Sequence, residues 1–379
     1  MRWITYFPEI HNVHLTKDLG LLPYYMQEVA GYDASLMARF SEDEYPSLEG
    51  EVEGLKTISL GDTGNWFFAE KASVHYLKNH AKEIDVLNLY HLSRHTLVYG
   101  NLFKKNNPKG KLYLKLDAYT SHLKKRKRYA RNIIKNIALK WLEKEFFKNV
   151  DLVSVESREG LEAARNTYPH LSSKLFYLPN GCNDIYLKKN FTKPVEKENT
   201  ILSVGRPGSP DKNYELVLAA LPYLDLGNWT IKIAGPVSEE FKEKWEVASQ
   251  AYPVQASKVE FLGNFTNRQK LYEEYASAKV FFLPSRFESF GIAFVEALYF
   301  GCVLAGHKGM SAYNDLSANG EFGVYFEDNN PEGFAKSLNR AMEMSEQNGM
   351  KVRIENHAAE NFYWSNLAKR LDQKLSNEN

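Results

Sequence analysis

Two carboxylates, Glu288 and Glu296, stand eight positions apart in PSRFESFGIAFVEALYFG, Pro284 to Gly301, a stretch otherwise suited to a buried helix. Either both are solvated and mark a helix start, or they grip a ligand. A helix starting near Phe290 or Gly291 would aim free N–H groups at the ligand crevice of a sheet, and such a start attracts anions. Gly291 would let backbone amides approach a ligand closely. Glu288, ahead of the helix, could accept hydrogen bonds from hydroxyls. Glu296, a turn or more inside, could take a ribose diol, as carboxylates do in dinucleotide folds. The stretch could then hold a sugar hydroxyl at Glu288, a ribose at Glu296 and phosphate between them.

A second candidate is ILSVGRPGSPDKNYELVLAAL. A strand ends at Gly205, a loop carries Arg206 and Lys212, and a helix follows. Arg offers a planar fork and Lys a point charge, a combination suited to a diphosphate at the end of a parallel strand. The same residues also read as a solvated loop with two surface cations. IKIAGP (Ile231–Pro236) is a strand ending at Gly235-Pro236, and LPNGCN (Leu178–Asn183) reads as a turn. Neither says much alone.

These residues need a frame to position them. The chain has 379 residues, 44% hydrophobic and 25% charged, enough for two domains. Short apolar runs alternate with helical patterns. The spacing predicts strands at Trp3–Phe7, Val86–Leu89, Lys111–Leu116, Leu152–Val155, Leu175–Leu178, Thr200–Val204, Thr230–Ala234, Val259–Leu262, Val280–Leu283 and Val303–Ala305. Helices are expected at Ser157–Thr167, Tyr214–Leu221, Arg268–Ala276 and Pro331–Met344. Continuous apolar strands of this kind are those buried on both faces of a parallel sheet, which argues for a doubly wound α/β fold. Asn183–Asn199 is polar, lysine-rich and without apolar periodicity, so a boundary belongs there. The expected domains are residues 1–185 and 195–355. Residues 356–379 should end in a packed helix carrying Phe362, Leu367 and Leu371.

Net charge is +1, so the whole chain is not an obvious polyanion binder. Cys182 and Cys302 are far apart and lack metal-type spacing, which fits a reducing cytoplasm. The first residues do not read as a signal peptide, and no stretch approaches the ~18 apolar residues of a membrane span. A soluble cytoplasmic protein is expected, with attachment to a membrane surface left open. Charge is uneven, however. Residues 101–150 hold fifteen Lys/Arg against Asp117, Glu143 and Glu145, a local net of +12, leaving −11 for the rest. Within His122–Val150, the apolar Ile133, Ile134, Ile137, Leu139, Trp141, Leu142, Phe146 and Phe147 are expected to face the core. Lys124, Lys125, Arg126, Lys127, Arg128 and Arg131 would then face out. This is either a solvated helix face or a patch for anionic lipid, each nearby cation adding on the order of 1 kcal/mol. Nucleic acid fits less well, because aromatic interleaving is poor.

The second half resembles the C-terminal domain of family 4 retaining glycosyltransferases, group 1 type, of the GT-B fold. Their E-x7-E motif is Glu288…Glu296 here, and their donor loop is Gly205-Arg206…Lys212. Their strand ending in Gly is Ala234-Gly235-Pro236, and their P-N-G turn is Pro179-Asn180-Gly181. The match covers roughly residues 150–370, and four motifs in order are more specific than any one. The resemblance implies two Rossmann-like domains facing a central cleft, with the last helix crossing back onto the N-terminal domain. It implies transfer of a sugar from a nucleotide diphosphate sugar, UDP by preference, with retention. The acceptor would be a glycan or lipid-linked molecule at the cytoplasmic membrane face. Catalytic roles go to Glu288, Arg206, Lys212 and Asp117, with Glu288 binding sugar and not acting as a covalent nucleophile. Donor contacts go to Gly20, Gly205, Gly235, Pro236, Ser289, Phe290, Gly291, Ile292 and Glu296. No D-x-D triad is found, so no metal and no other cofactor is expected.

The N-terminal half departs from the family. Where relatives carry a Gly-Gly loop, PEIHNVHLTKDLG has a lone Gly20. Where many carry a His after the Lys111–Leu116 strand, LYLKLDAYTSH places Asp117. His11, His14, His91, His95 and His122 read as surface or satisfied histidines. Two other functions fit the residues: the same chemistry on a soluble small-molecule or protein acceptor, and a non-catalytic basic-patch binding protein on this scaffold.

Overall fold

The computed structural model describes residues 1–62, 64–66, 69–118, 120–124, 133–192 and 195–377. The chain divides into two compact units. The first is Met1–Tyr186 with Tyr363–Asn379, and the second is Leu187–Phe362.

The first unit is built on a seven-stranded parallel sheet. Its strands are β1 (Arg2–Ile10), β2 (Asp33–Phe40), β3 (Lys56–Ser59), β4 (Val86–Tyr90), β5 (Lys111–Leu116), β6 (Leu152–Val155) and β7 (Leu175–Tyr177), in the order β3-β2-β1-β4-β5-β6-β7. The second unit carries six parallel strands. They are β8 (Glu198–Val204), β9 (Thr230–Ala234), β10 (Val259–Gly263), β11 (Ala278–Leu283), β12 (Val303–His307) and β13 (Gly323–Phe326), in the order β10-β9-β8-β11-β12-β13. Each sheet thus starts near its middle and winds outward in both directions, the doubly wound arrangement. Central strands are buried along their length, which is why they read as continuous apolar runs. Register follows: Ile201 of β8 lies opposite Ile231 and Val280, and Trp3 of β1 opposite Ala34 and Val86.

Three strands of the two parallel sheets were not expected, nor was the short antiparallel pair Asn65–Trp66 and Ala69–Glu70. β2 reads DASLMARF, and its Ala, Leu and Met are helix formers. Pairing with β1 on one side and β3 on the other overrides that preference, and Ala34 to Ala38 are buried. β3 and β13 are short edge strands, one polar and one opening on a glycine.

The boundary stretch is not featureless. It carries a helix at Asp184–Asn190 with Leu187 fully buried, too short to show periodicity. The C-terminal stretch holds two helices where one packed helix was expected. Phe362 ends Met350–Phe362 in the second unit, and Trp364–Ser376 belongs to the first. Trp364, Leu367, Leu371 and Leu375, on one face of that last helix, are buried. Its first turn is fixed by Asp184, whose carboxylate accepts from Ser365 N at 3.0 Å and Ser365 Oγ at 2.7 Å.

The basic segment also differs from expectation. In the helix Ile133–Asn149, Leu139, Glu143, Phe146 and Phe147 are buried. Ile133, Ile134, Ile137 and Trp141 instead point to solvent. The helix packs along Arg94–Asn106, where Asn101 Nδ2 donates to Leu142 O at 2.9 Å, and its first turns project apolar side chains outward. Of the expected basic patch, Lys124 lies 3.3 Å from Glu159, while Lys125–Arg128 and Arg131 fall outside the described residues. Among the described residues no helix is long and apolar enough to cross a membrane.

Candidate functional site

Ligands of doubly wound sheets bind outside the carboxyl ends of the strands. In the second unit those ends are loops after β8, β9 and β11. The first two cross in contact. Gly235 follows β9 with φ +131°, and a Cβ there would stand 1.7 Å from the Gly205 carbonyl oxygen. Gly205 N donates to Ala234 O at 2.9 Å, so backbone packs directly on backbone. Pro236 is exposed just beyond. Gly205 itself has no room for a side chain, because the Tyr214 hydroxyl lies 2.6 Å from where its Cβ would be.

The loop from Gly205 to Tyr214 is held by Asp211, which accepts from Ser209 Oγ and whose backbone oxygen accepts from Arg286 N at 3.0 Å. Asn213, at φ +53°, donates from Nδ2 to Pro284 O at 3.2 Å and ties the loop to the end of β11. Arg206 is exposed, 3.9 Å from the Asp211 carboxylate. Lys212 is largely buried, and its Nζ donates to Glu288 Oε1 at 2.5 Å. Ser285 Oγ donates to the same oxygen at 2.8 Å. The structure thus brings Lys212 and Glu288 together and leaves Arg206 extended toward water.

Ser289 and Phe290 lead into the helix Ile292–Tyr299, whose N-cap is Gly291 at φ +89°. That left-handed turn is open to glycine at little cost and frees the helix's first N–H groups. Phe290 is buried and Ile292 half-buried. Glu296 lies inside the helix, buried, with donors on both oxygens. Arg268 Nη2 donates to Oε1 at 2.6 Å and Tyr275 OH to Oε2 at 3.0 Å, with Tyr272 OH 3.4 Å from Oε1. Burial and the Glu296 carboxylate push the Tyr275 hydroxyl well above its ordinary pKa, so it stays a donor. Sequence reasoning missed Arg268, Tyr272 and Tyr275. Their i, i+4, i+7 spacing on Arg268–Ser277 puts them on one face, and that was the signal available.

Asp117 is in the first unit, immediately after β5. Carboxylate oxygens of Asp117, Asp18 and Glu156 lie within 4.8 Å of one another, the described acids best placed to share a cation. A cation of the protein is already there: the fully buried Lys115 Nζ lies 2.5 Å from Glu156 Oε1 and 3.2 Å from Asp18 Oδ2. Asn180 Nδ2 donates to Glu156 Oε1 at 2.9 Å. Burial alone would lower the Lys115 pKa, but Glu156, Asp18 and Asp117 outweigh it and hold the ammonium above its ordinary value. Burial pushes the Glu156 carboxyl well above the usual range in spite of Lys115.

Gly20 is in the helix Asp18–Glu28 and not in the loop where it was expected. A Cβ there would meet the Leu15 carbonyl oxygen at 2.2 Å, so its smallness serves close packing. The histidines are largely accounted for. His14 Nδ1 accepts from His11 N at 3.1 Å, His11 sits 3.2 Å from Glu42, and His91 Nδ1 is 2.8 Å from the Asp117 carbonyl oxygen. Burial lowers the pKa of His14 and His95.

Residues 185–360 match the sequence model of the family described as glycosyl transferases group 1. An uncharacterized glycosyltransferase of Methanocaldococcus jannaschii is 31% identical over 235 residues, 57% of each chain. The chain therefore spans little more than half the length of that relative. Among solved structures, Anabaena HepE in complex with UDP superposes with a TM-score of 0.70 at 14% identity, covering all of both chains. The lipopolysaccharide outer core galactosyltransferase WaaB gives 0.68 at 14% identity, again over both whole chains. At this identity the likeness is one of fold, and the two parallel sheets are those of GT-B glycosyltransferases.

Proposed function

We propose that this chain, whose residues 185–360 match the glycosyl transferases group 1 model, belongs to that family and moves a sugar from a nucleotide diphosphate sugar to an acceptor hydroxyl with retention of configuration. The donor is UDP-linked and is held by the second unit. The acceptor is a glycan or lipid-linked molecule at the cytoplasmic face of a membrane. The observation that carries the reading is the convergence of Gly205, Gly235, Lys212, Glu288 and Gly291 at the carboxyl ends of one parallel sheet.

In this reading the diphosphate lies against Arg206, Lys212 and the N–H groups after Gly291. As the bond from the anomeric carbon to phosphate oxygen breaks, negative charge builds on the diphosphate and these groups stabilise it. The protein's own cations do this work, and no metal is required. The anomeric carbon becomes oxocarbenium-like. The acceptor hydroxyl attacks from the face the leaving group departs, and its proton passes to the leaving phosphate oxygen. Glu288, aligned by Ser285 and Lys212, binds a sugar hydroxyl. Glu296, aligned by Arg268 and Tyr275, binds the ribose.

The test is thermal stabilisation by UDP, GDP, ADP and TDP, on the wild type and on the double variant Arg206→Ala/Lys212→Ala. A site filled at ~100 times its dissociation constant adds about 2.7 kcal/mol. UDP should raise the melting temperature of the wild type and not of the variant. A shift with another diphosphate alone would replace the base, and no shift with any would overturn the donor site.

A further inference from the structure

The helix Ile133–Asn149 carries an apolar face on each side. Leu139, Phe146 and Phe147 are in the core. Ile133, Ile134, Ile137 and Trp141 are 72%, 77%, 64% and 62% exposed. Residues 134, 137 and 141 fall at i, i+3 and i+7, so they form one stripe. Single exposed apolar residues need no explanation, but four large ones within nine positions make a patch of the kind that marks an interaction site.

We propose that this stripe seats the first unit on a bilayer containing anionic lipid, with Ile134, Ile137 and Trp141 entering the headgroup–acyl boundary. The proposal rests on the membrane-face part of the reading above. Three observations select lipid as the occupant. The stripe lies in residues 101–150, whose net charge is +12, or +11 without the buried Lys115, and anionic headgroups complement that charge. A tryptophan closes the stripe, and its amphipathic ring favours the membrane interface. The helix cannot cross a bilayer, since Glu143, Glu145 and four lysines interrupt it, so it lies in the plane of the surface. Isoleucine supplies apolar area with few rotamers to lose, which suits insertion into a fluid medium with no shaped pocket.

The experiment is co-sedimentation of the full chain with phosphatidylcholine vesicles, with and without phosphatidylglycerol. It compares the wild type with Ile134→Ser/Ile137→Ser/Trp141→Ser. All three side chains are exposed, so the variant should melt as the wild type does. The wild type should bind vesicles with phosphatidylglycerol, and the variant's partition should fall by at least about a hundredfold, since three large apolar side chains lose even a partial burial in lipid. Lipid brominated along the acyl chain should quench wild-type tryptophan fluorescence more than that of Trp141→Phe. Equal sedimentation of variant and wild type would overturn the proposal, as would no sedimentation of either or equal quenching. A wild-type dimer that the variant loses, with no vesicle binding, would assign the stripe to a second copy instead. Nucleotide stabilisation measured without vesicles separates the two readings. Its absence would sink the donor site while leaving vesicle binding as found.

Discussion

The ammonium of Lys212 donates to Glu288 across 76 positions of sequence, with both side chains more than four-fifths buried. Without donor, the loop's point charge is therefore already neutralised. Replacing Glu288 by Gln frees Lys212 for the diphosphate. UDP should bind about five- to tenfold tighter, a gain of roughly 1 kcal/mol expected for one released partly buried cation. Sugar transfer should fall by about 10²–10³, since Glu288 acts on the sugar. Opposite movements of calorimetric affinity and turnover are the signature. If affinity and turnover fell together, Glu288 would be holding the loop in shape.

Glu296 pairs with Arg268, Nη2 to Oε1 at 2.6 Å. Glu296→Ala removes that carboxylate and leaves the partly buried guanidinium with the Tyr272 hydroxyl and ring that it already touches. Urea unfolding should show a loss of about 2–3 kcal/mol, below the 3–5 of a fully buried pair because Arg268 keeps 29% exposure. Glu296→Gln keeps acceptors for Arg268 and should cost about 1 kcal/mol. Equal costs for both variants would count against the pairing argument.

Gly235→Ala should be among the most damaging small changes. The new methyl carbon meets the Gly205 carbonyl oxygen at 1.7 Å, and φ +131° is closed to alanine. Gly227, at φ +50° with nothing within 4 Å, supplies the control. Gly227→Ala should cost about 1 kcal/mol and Gly235→Ala about 3 kcal/mol or more, with nucleotide stabilisation lost only in the latter. Similar unfolding midpoints would show that the two loops separate easily.

His357 gives the second unit an acid-sensitive element. Burial lowers its pKa below the ordinary histidine value. The ring lies with Nε2 3.2 Å from Leu316 O and Nδ1 3.2 Å from Asn361 Nδ2, which suits the neutral tautomer protonated at Nε2. The unfolded chain therefore takes up the proton first, and stability falls as pH drops below roughly 6.5. His357→Gln keeps a donor for Leu316 and should flatten the dependence of unfolding free energy between pH 7 and 5, a range about the unperturbed histidine pKa. An unchanged slope in the variant would place the sensitivity elsewhere.

Strands such as Thr230–Ala234 were legible because burial on both faces writes itself as an unbroken apolar run. β2 was not, because its residues prefer helix and only its neighbours make it a strand. The glycines and charges of the donor loop were legible singly. The Lys212–Glu288 bond was not, since nothing local in either stretch records a partner 76 positions away. Arg268 stands on a helix face, outside the E-x7-E spacing that singles out Glu296. The outward stripe at Ile133, Ile134, Ile137 and Trp141 inverted expectation for a physical reason. Hydrophobic pattern reports which residues avoid water and is silent on whether protein or lipid shelters them.

The last helix of the first unit, Trp364–Ser376, is encoded after the whole of the second. On the ribosome the second unit is contiguous and complete once Phe362 has been made. The first unit must wait, with Tyr25, Leu178 and the other core residues that meet Trp364 and Leu371 lacking their cover until then. The earlier-made half is thus the later to finish, and a holding chaperone would find its work there.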